Sequence, residues 1–287
     1  KVGRTHLQDA TPLTFGQELS GYISALKHDL SYIRELKPTL YELAIGGTAV
    51  GTGLNAAPGM TEKIAGKLSE VYGHKFEVKT NKFWGLAHHS GLDVVHGALK
   101  TLAADMFKIA QDIRLLASGP RAGYHELNIP ANEPGSSIMP GKVNPTQAEA
   151  VTMAAAKVFG NDTTITFASS QGNFEMNVFK TVIIASFLDS CDILTGTITG
   201  FADKMIHGLT VNEERMDELL ENSLMTVTAL SPHIGYHAAA KIAQTADKEG
   251  TTLREAALKS GKVTEEQYDE WMDYMQMTNV DKSTPEE

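Results

Sequence analysis

Asp93-Val94-Val95-His96-Gly97-Ala98-Leu99-Lys100-Thr101-Leu102-Ala103-Ala104-Asp105-Met106-Phe107-Lys108-Ile109-Ala110-Gln111-Asp112-Ile113-Arg114-Leu115-Leu116 sets Val95, Leu99, Leu102, Met106, Ile109, Ile113 and Leu116 three or four positions apart. That interval makes one face of an α-helix and is foreign to the two-residue period of a strand. Gly119-Pro120 closes the pattern, so the spacing predicts a long helix from about Asp93 to Ser118.

Toward the N-terminus the same period returns. Ile64, Leu68 and Val71 share a face in a short helix from about Met60 to Tyr72. Ile45 to Pro58, rich in Gly, Thr and Asn, reads as a loop. Leu19, Ile23, Leu26, Leu30, Ile33, Leu36 and Leu40 predict a helix from near Phe15 to about Leu43, with a kink at Pro38. Residues 1–14 read as a loop. Toward the C-terminus, residues 121–145 form a long loop, of a length that is usually functional or disordered. Thr146 to about Thr166 is a helix with small residues at its middle (Ala154, Ala155, Ala156), which suits a central place among neighbours. Phe174 to Met205 is a further apolar helix. Near Leu209 the pattern changes: Asn212 can cap a helix with Glu213 and Glu214 in its first turn, and shorter helices follow at about 213–222, 234–248, 252–260 and 264–273. The expected fold is all-α, a long-helix bundle over residues 1–212 and a small helical domain over 213–287. The polar tail after about Met275 is expected to be disordered.

The chain has 287 residues, 42% of them hydrophobic, enough for a sizeable core. Asp and Glu total 35 against 25 Lys and Arg, a net charge of -10, which argues against nucleic acid or an anionic membrane as the main partner. The single cysteine, Cys191, excludes an internal disulfide framework, fits a reducing compartment and reads as a buried packing thiol. No uninterrupted apolar run reaches the roughly 18 residues of a membrane span. Lys1 opens the chain with neither initiator methionine nor leader, so the sequence reads as a fragment of a longer protein.

The chemistry-bearing stretch lies in the long loop: Gly135-Ser136-Ser137-Ile138-Met139-Pro140-Gly141-Lys142-Val143-Asn144-Pro145. Asn144-Pro145 reads as an N-cap followed by proline at the first helical position. The unpaired N–H groups and dipole of that helix start favour negative charge, and Lys142 adds a full positive one. Such a loop suits a small carboxylate-bearing substrate. Abstracting a proton beside a carboxylate creates a doubly charged aci-carboxylate, which demands a base and preorganised positive charge. Ser136 or Ser137 could be that base only if Lys142, backbone N–H groups and the helix start stabilise its alkoxide. Lys142 and Asn144 can bind the substrate carboxylate. His88-His89 and His125 raise a metal site, but nothing near them completes a ligand set. No metal or cofactor is expected. Arg121 and Lys180 read as solvated charges.

Gly-Ser-Ser-x-Met-Pro-x-Lys-x-Asn-Pro resembles the signature of the fumarase/aspartase superfamily, whose members eliminate a group beta to a carboxylate. The opening Gly3-Arg4-Thr5-His6-Leu7-Gln8-Asp9-Ala10-Thr11-Pro12-Leu13-Thr14 resembles its Thr-x-His region, in the form that fumarases carry. Gly46–Asn55 and Ser223–Leu230 are similar to further fumarase stretches. The resemblance implies that Ser136 is the base, that Ser137, Lys142, Val143, Asn144 and Thr5 bind substrate, and that His6 handles the proton of water. Glu149, one turn into the helix after Pro145, would partner His6. It implies reversible hydration of fumarate to L-malate through an aci-carboxylate carbanion. An aspartate ammonia-lyase is the rival, with glutamine typical where His6 stands, and an inactive truncated or structural homologue is the other alternative. The resemblance further implies a homotetramer whose active sites are shared between subunits, a bundle incomplete at its N-terminal end, and residence in the cytoplasm, or the mitochondrial matrix of a eukaryote. Two stretches depart from the fumarase pattern: Trp84-Gly85 stands where Glu-Ala is usual after Asn-Lys-Phe, and His88-His89-Ser90-Gly91 where Ala-His-Asp-Ala is common.

Overall fold

The computed structural model describes residues 1–133 and 135–283. The chain opens not as a loop but as a two-stranded antiparallel ribbon, β1 (Val2–Thr5) and β2 (Gln8–Pro12), with Thr5 opposite Gln8 and Arg4 opposite Asp9. Gly3 permits this closure, because a Cβ there would lie 2.4 Å from the carbonyl oxygen of Thr11. Thr14 and Gln17 then exchange side-chain and backbone hydrogen bonds, a capping box that starts α1 (Phe15–Leu36). α1 ends before Pro38, which sits in a 3-10 turn (Lys37–Tyr41); lacking an N–H, proline ends the ladder here instead of kinking it. Strands β3 (Glu42–Leu43) and β4 (Glu77–Val78) pair in parallel around α2 (Met60–Tyr72). The six-residue α3 (Lys82–Ala87) is too short to show a period, yet Asn81 caps it by accepting from Trp84 N–H at 2.9 Å. The founding pattern becomes α4 (Ser90–Leu116). β5 (Leu127–Asn128) pairs with β6 (Thr210–Val211), and between them run α5 (Thr146–Ser169) and α6 (Lys180–Phe201), the latter continuing as a π-helical turn to Ile206. Asn212 caps α7 (Glu213–Asn222) as expected, accepting from Arg215 N–H at 3.3 Å. A 3-10 segment (Leu224–Leu230) leads into α8 (Ser231–Ile234), α9 (Tyr236–Glu249), α10 (Leu253–Lys259), α11 (Glu265–Trp271), α12 (Tyr274–Thr278) and α13 (Val280–Ser283). The all-α expectation is borne out; the strands are short.

The chain divides into two compact units. The larger holds residues 25–115 and 129–209 and is built on α4, α5 and α6. Val95, Ile165, Ile183 and Phe187 form one buried cluster, and Ala103, Ala155, Val158 and Leu194 another. Each large side chain so buried contributes on the order of 1.5–3 kcal/mol. Alanines on α5 leave little between its backbone and that of α6, as small residues predict. Cys191 is half-buried against the first cluster, and burial pushes its thiol up. A polar chain crosses the core: His96, fully buried, meets Asp162 through Nδ1 (2.9 Å) and Ser190 Oγ through Nε2 (2.8 Å). Asn161 donates to Ser190 Oγ at 3.0 Å and to Asp189 at 2.8 Å. Burial works to raise the Asp162 carboxyl, but the Lys100 ammonium at 2.7 Å and the His96 ring hold it below the usual carboxylate range.

Taken whole, the helix Lys180–Ile206 is long and apolar enough to cross a membrane by length and composition, contrary to the sequence reading. Asp189 and Asp192 interrupt its apolar run, which is why that reading passed over it. In this structure Ile183, Phe187, Leu194 and Phe201 bury one side of it.

The second unit gathers Lys1–Ser24, Leu116–Asn128 and the chain from Thr210 onward. A division at residue 212 assigns the first two of these segments to the bundle, whereas their contacts tie them to the third. The ribbon packs on the segment Leu224–Leu230 and on α12. Glu126, completely buried, holds Arg4 Nη2 at 2.6 Å and the Lys1 side chain at 3.2 Å, fastening the ribbon to its neighbouring segment. Leu230, Ile242, Leu253 and Ala257 centre its apolar core. Part of the expected disordered tail is helical: Gln17 Nε2 donates to the carbonyl of Thr278 at 3.0 Å. Residues 284–287 lie outside the described residues.

Candidate active site

The signature loop folds back on itself ahead of α5. Gly135 lies so close to Lys142 that a Cβ would stand 2.5 Å from its carbonyl oxygen, and Gly141 takes a positive φ of 83°. Lys142 N–H donates to the carbonyl of Met139 at 3.2 Å, closing a turn. Within it the half-buried Ser136 accepts two backbone hydrogen bonds at Oγ, from Ile138 N–H (3.2 Å) and Met139 N–H (3.0 Å). Donors converging on one hydroxyl oxygen favour its charged form. Ser137, Lys142, Val143 and Asn144 are exposed, as are the apolar side chains of Ile138 (85%) and Met139 (50%).

The helix start differs by one residue from the expectation. Pro145, not Asn144, occupies the N-cap position, no side chain caps it, and Thr146 is the first helical residue. Glu133 secures this corner from the far side of the loop, accepting from Thr146 Oγ1 at 2.9 Å. Glu149 falls in the first turn of α5, half-buried, with its N–H on the Pro145 carbonyl at 3.1 Å. Ser136, Ser137, Lys142, Val143, Asn144 and Glu149 are thus gathered on one loop and the helix it feeds.

Thr5 and His6 sit on the other unit. Thr5 is the last residue of β1, and His6 and Leu7 are the two central residues of the hairpin turn. Both have positive φ, 55° and 61°, the region that such a two-residue turn requires and that Asn-Gly normally supplies. A leucine held there, 63% exposed, carries strain without burial to offset it, which is a mark of a functional turn. Arg4, next to Thr5, is clamped between Glu126 and the Tyr124 ring, 4.2 Å from its centroid. Sequence reasoning missed Arg4 and Glu126 as the supports of the turn; a buried glutamate between His125 and Leu127 carries no local signal.

The other histidines are placed apart. His88 is exposed, His89 Nε2 lies 3.2 Å from the Asn177 carbonyl, and His125 accepts from Asn212 through its own carbonyl at 3.0 Å. Among the described residues no three His, Cys, Asp or Glu side chains converge as metal ligands would. Arg121 and Lys180 are exposed.

Residues 1–160 match a protein-family model described as "Lyase", and residues 227–279 match one described as "Fumarase C C-terminus". The chain belongs to this lyase family. Its curated relatives include the class II fumarate hydratase of Listeria monocytogenes, 56% identical over 280 residues, which span 98% of this chain and 62% of that protein. That of Halalkalibacterium halodurans is 58% identical over 279 residues, 97% of this chain and 60% of the relative. A solved class II fumarase from Schistosoma mansoni superposes with a TM-score of 0.93 at 42% identity, covering 97% of this chain and 61% of the other. A structure titled fumarate lyase:delta crystallin, from Brucella melitensis, gives 0.91 at 37% identity over 97% and 60%. The chain therefore spans about three fifths of the length of the relatives it matches. The resemblance read from the two motifs is borne out.

Proposed function

We propose that the protein carrying this chain is a fumarate hydratase that adds water reversibly to fumarate to give L-malate. The observation that carries this reading is Ser136, whose oxygen already receives two backbone N–H bonds inside a loop with Lys142. Class II fumarate hydratases at 56% and 58% identity support it from outside the molecule. In the malate-to-fumarate direction Ser136 Oγ takes the proton from C3. The charge that then accumulates on the neighbouring carboxylate is met by the Lys142 ammonium and the Asn144 amide, with Ser137 and the Val143 backbone holding the substrate. His6, with Glu149 fixing its tautomer, delivers the proton that lets hydroxide leave as water, and Thr5 hydrogen-bonds the substrate. Balanced preorganised charge of this kind is the largest usual source of rate enhancement.

The ribbon and the loop belong to different units, and we further propose that copies of the chain assemble, in a homotetramer, so that the ribbon of one subunit serves the loop of another. Met153 (67% exposed), Phe159 (37%) and Phe167 (64%) on α5 support that reading, since a lone subunit would leave them in water.

The test follows the loss of fumarate's ultraviolet absorbance. The full-length protein should consume fumarate without ammonia or added metal, and Ser136→Ala and His6→Asn should each lower turnover by about 10²–10⁴-fold with assembly intact. A rate that depends on ammonia would reassign the protein to the ammonia-lyases. Near-normal turnover in either variant would remove that residue from its role.

A further inference from the structure

His6 is exposed, and among the described residues no hydrogen bond or ion pair within its own chain holds its ring. What places the imidazole is the backbone beneath it. That backbone is a ribbon of four and five residues, closed by a turn in which His6 and Leu7 both have positive φ. A two-stranded ribbon is marginal by itself, and a strained turn persists only where its surroundings over-determine it. Successive strand residues face opposite ways, so Arg4 turned toward the protein leaves Thr5 turned out, where it is exposed.

Arg4 lands on a shelf formed by Tyr124, His125 and Glu126. Its guanidinium lies 4.2 Å from the centroid of the Tyr124 ring, and Nη2 stands 2.6 Å from Oε1 of the fully buried Glu126. The shelf is itself fixed. Glu126 N–H donates to the Leu116 carbonyl at 2.9 Å, and Asn212 N–H donates to the Glu126 carbonyl at 2.9 Å. Arg215 Nε donates to the Tyr124 carbonyl at 3.1 Å. All of these residues belong to one compact unit.

We propose that Arg4 and Glu126 are positioning residues: the buried pair fixes where the His6 imidazole stands, and so governs the proton transfer to the leaving hydroxide. The inference rests on the role given to His6 above. A guanidinium is flat and always charged, so a ring below it and a carboxylate beside it leave it one orientation; an ammonium would not be so confined. A displacement of about 1 Å at a reacting group can cost about 10²-fold in rate. A ribbon free to rock would therefore silence His6 while the fold stood intact.

Variant cycles in the full-length protein supply the test. Arg4→Lys keeps the charge and loses the flat fork; Glu126→Gln keeps the shape and loses the charge. Each should lower kcat by about 10²-fold, and by more than it raises KM, with sedimentation and circular dichroism as in the parent. Added to His6→Asn, the same changes should lower the remaining turnover by less than about threefold, since no imidazole is left to misplace. Added to Ser136→Ala, they should keep nearly their full factor. If Glu126→Gln, which leaves Arg4 buried without a counter-charge, fails to fold, Arg4→Lys decides alone. Amide exchange followed by mass spectrometry gives a readout without turnover: it should quicken over residues 1–14 in both variants and stay as in the parent over α5. Equal factors in all three backgrounds, or unchanged exchange over the ribbon, would overturn the proposal. A parent that leaves fumarate untouched, or a fully active His6→Asn, would instead overturn the reading of the site on which it rests.

Discussion

Asp29 is a carboxyl that helix α1 buries almost completely, 1% exposed, with Oδ2 left without a hydrogen-bond partner. Burial, then the charge of Asp105 and a hydrogen bond shared with it, push its pKa up to about 6. The folded carboxyl keeps its proton to a higher pH than the unfolded one, so the native chain binds more protons between about pH 4 and about pH 6. The contribution of Asp29 to stability is therefore greatest below that window, falls as pH rises through it and levels off above. The loss should be about 3 kcal/mol at most. Asp29→Asn keeps the shape and removes the charge. We expect its melting temperature to exceed that of the parent near pH 8, with the gap closing toward about pH 4. A variant that melts alike at every pH would show that the Asp29–Asp105 contact carries no such coupling. At the same scale, the positive φ of His6 and Leu7 shows why the ribbon was invisible in the sequence. A His-Leu pair has none of the chemistry by which hairpin turns announce themselves.

Among the elements, α1, α2, α4 and α6 were legible because their apolar residues repeat over several turns, and α5 from the Asn-Pro start ahead of it and its run of small residues. α3 and the helices past Met272 were not, since six or fewer residues complete too few turns to show a period. The candidate site divides along the same line. Its residue types and their order were plain in the loop, but the two N–H groups that meet Ser136 Oγ come from how the loop turns, which depends on Gly135 against Lys142. The polar chain through His96 was likewise hidden, because it joins three helices far apart in sequence. Asp162 Oδ1 and Ser190 Oγ take the two ring nitrogens of His96, Nδ1 and Nε2, and the Asn161 amide donates to the same Ser190 oxygen. Ser190→Ala would leave Nε2 buried without a partner, and should cost about 1–3 kcal/mol in chemical denaturation. A loss well under half of one unit would mean that water or a repacked neighbour replaces the hydroxyl.

For the molecule as a whole, Met153 and Phe167 of α5 are large apolar side chains left exposed, which the proposed assembly would cover. Met153→Asp with Phe167→Asp should therefore shift the sedimentation coefficient toward a smaller species and lower turnover with it, while leaving helix content by circular dichroism near the parent value. A double variant that sediments as the parent would place the contact elsewhere. The second unit has a further consequence for biosynthesis. It is woven from three stretches, one at the very front of the chain and one that begins only at Thr210. During translation the ribbon emerges well before its docking surface, Leu224–Leu230 and α12. Until more than 200 further residues have been made, the ribbon waits unmated, its edges open to any passing strand. A ribosome-stalled intermediate ending before residue 210 should hence be the form that chaperones hold longest.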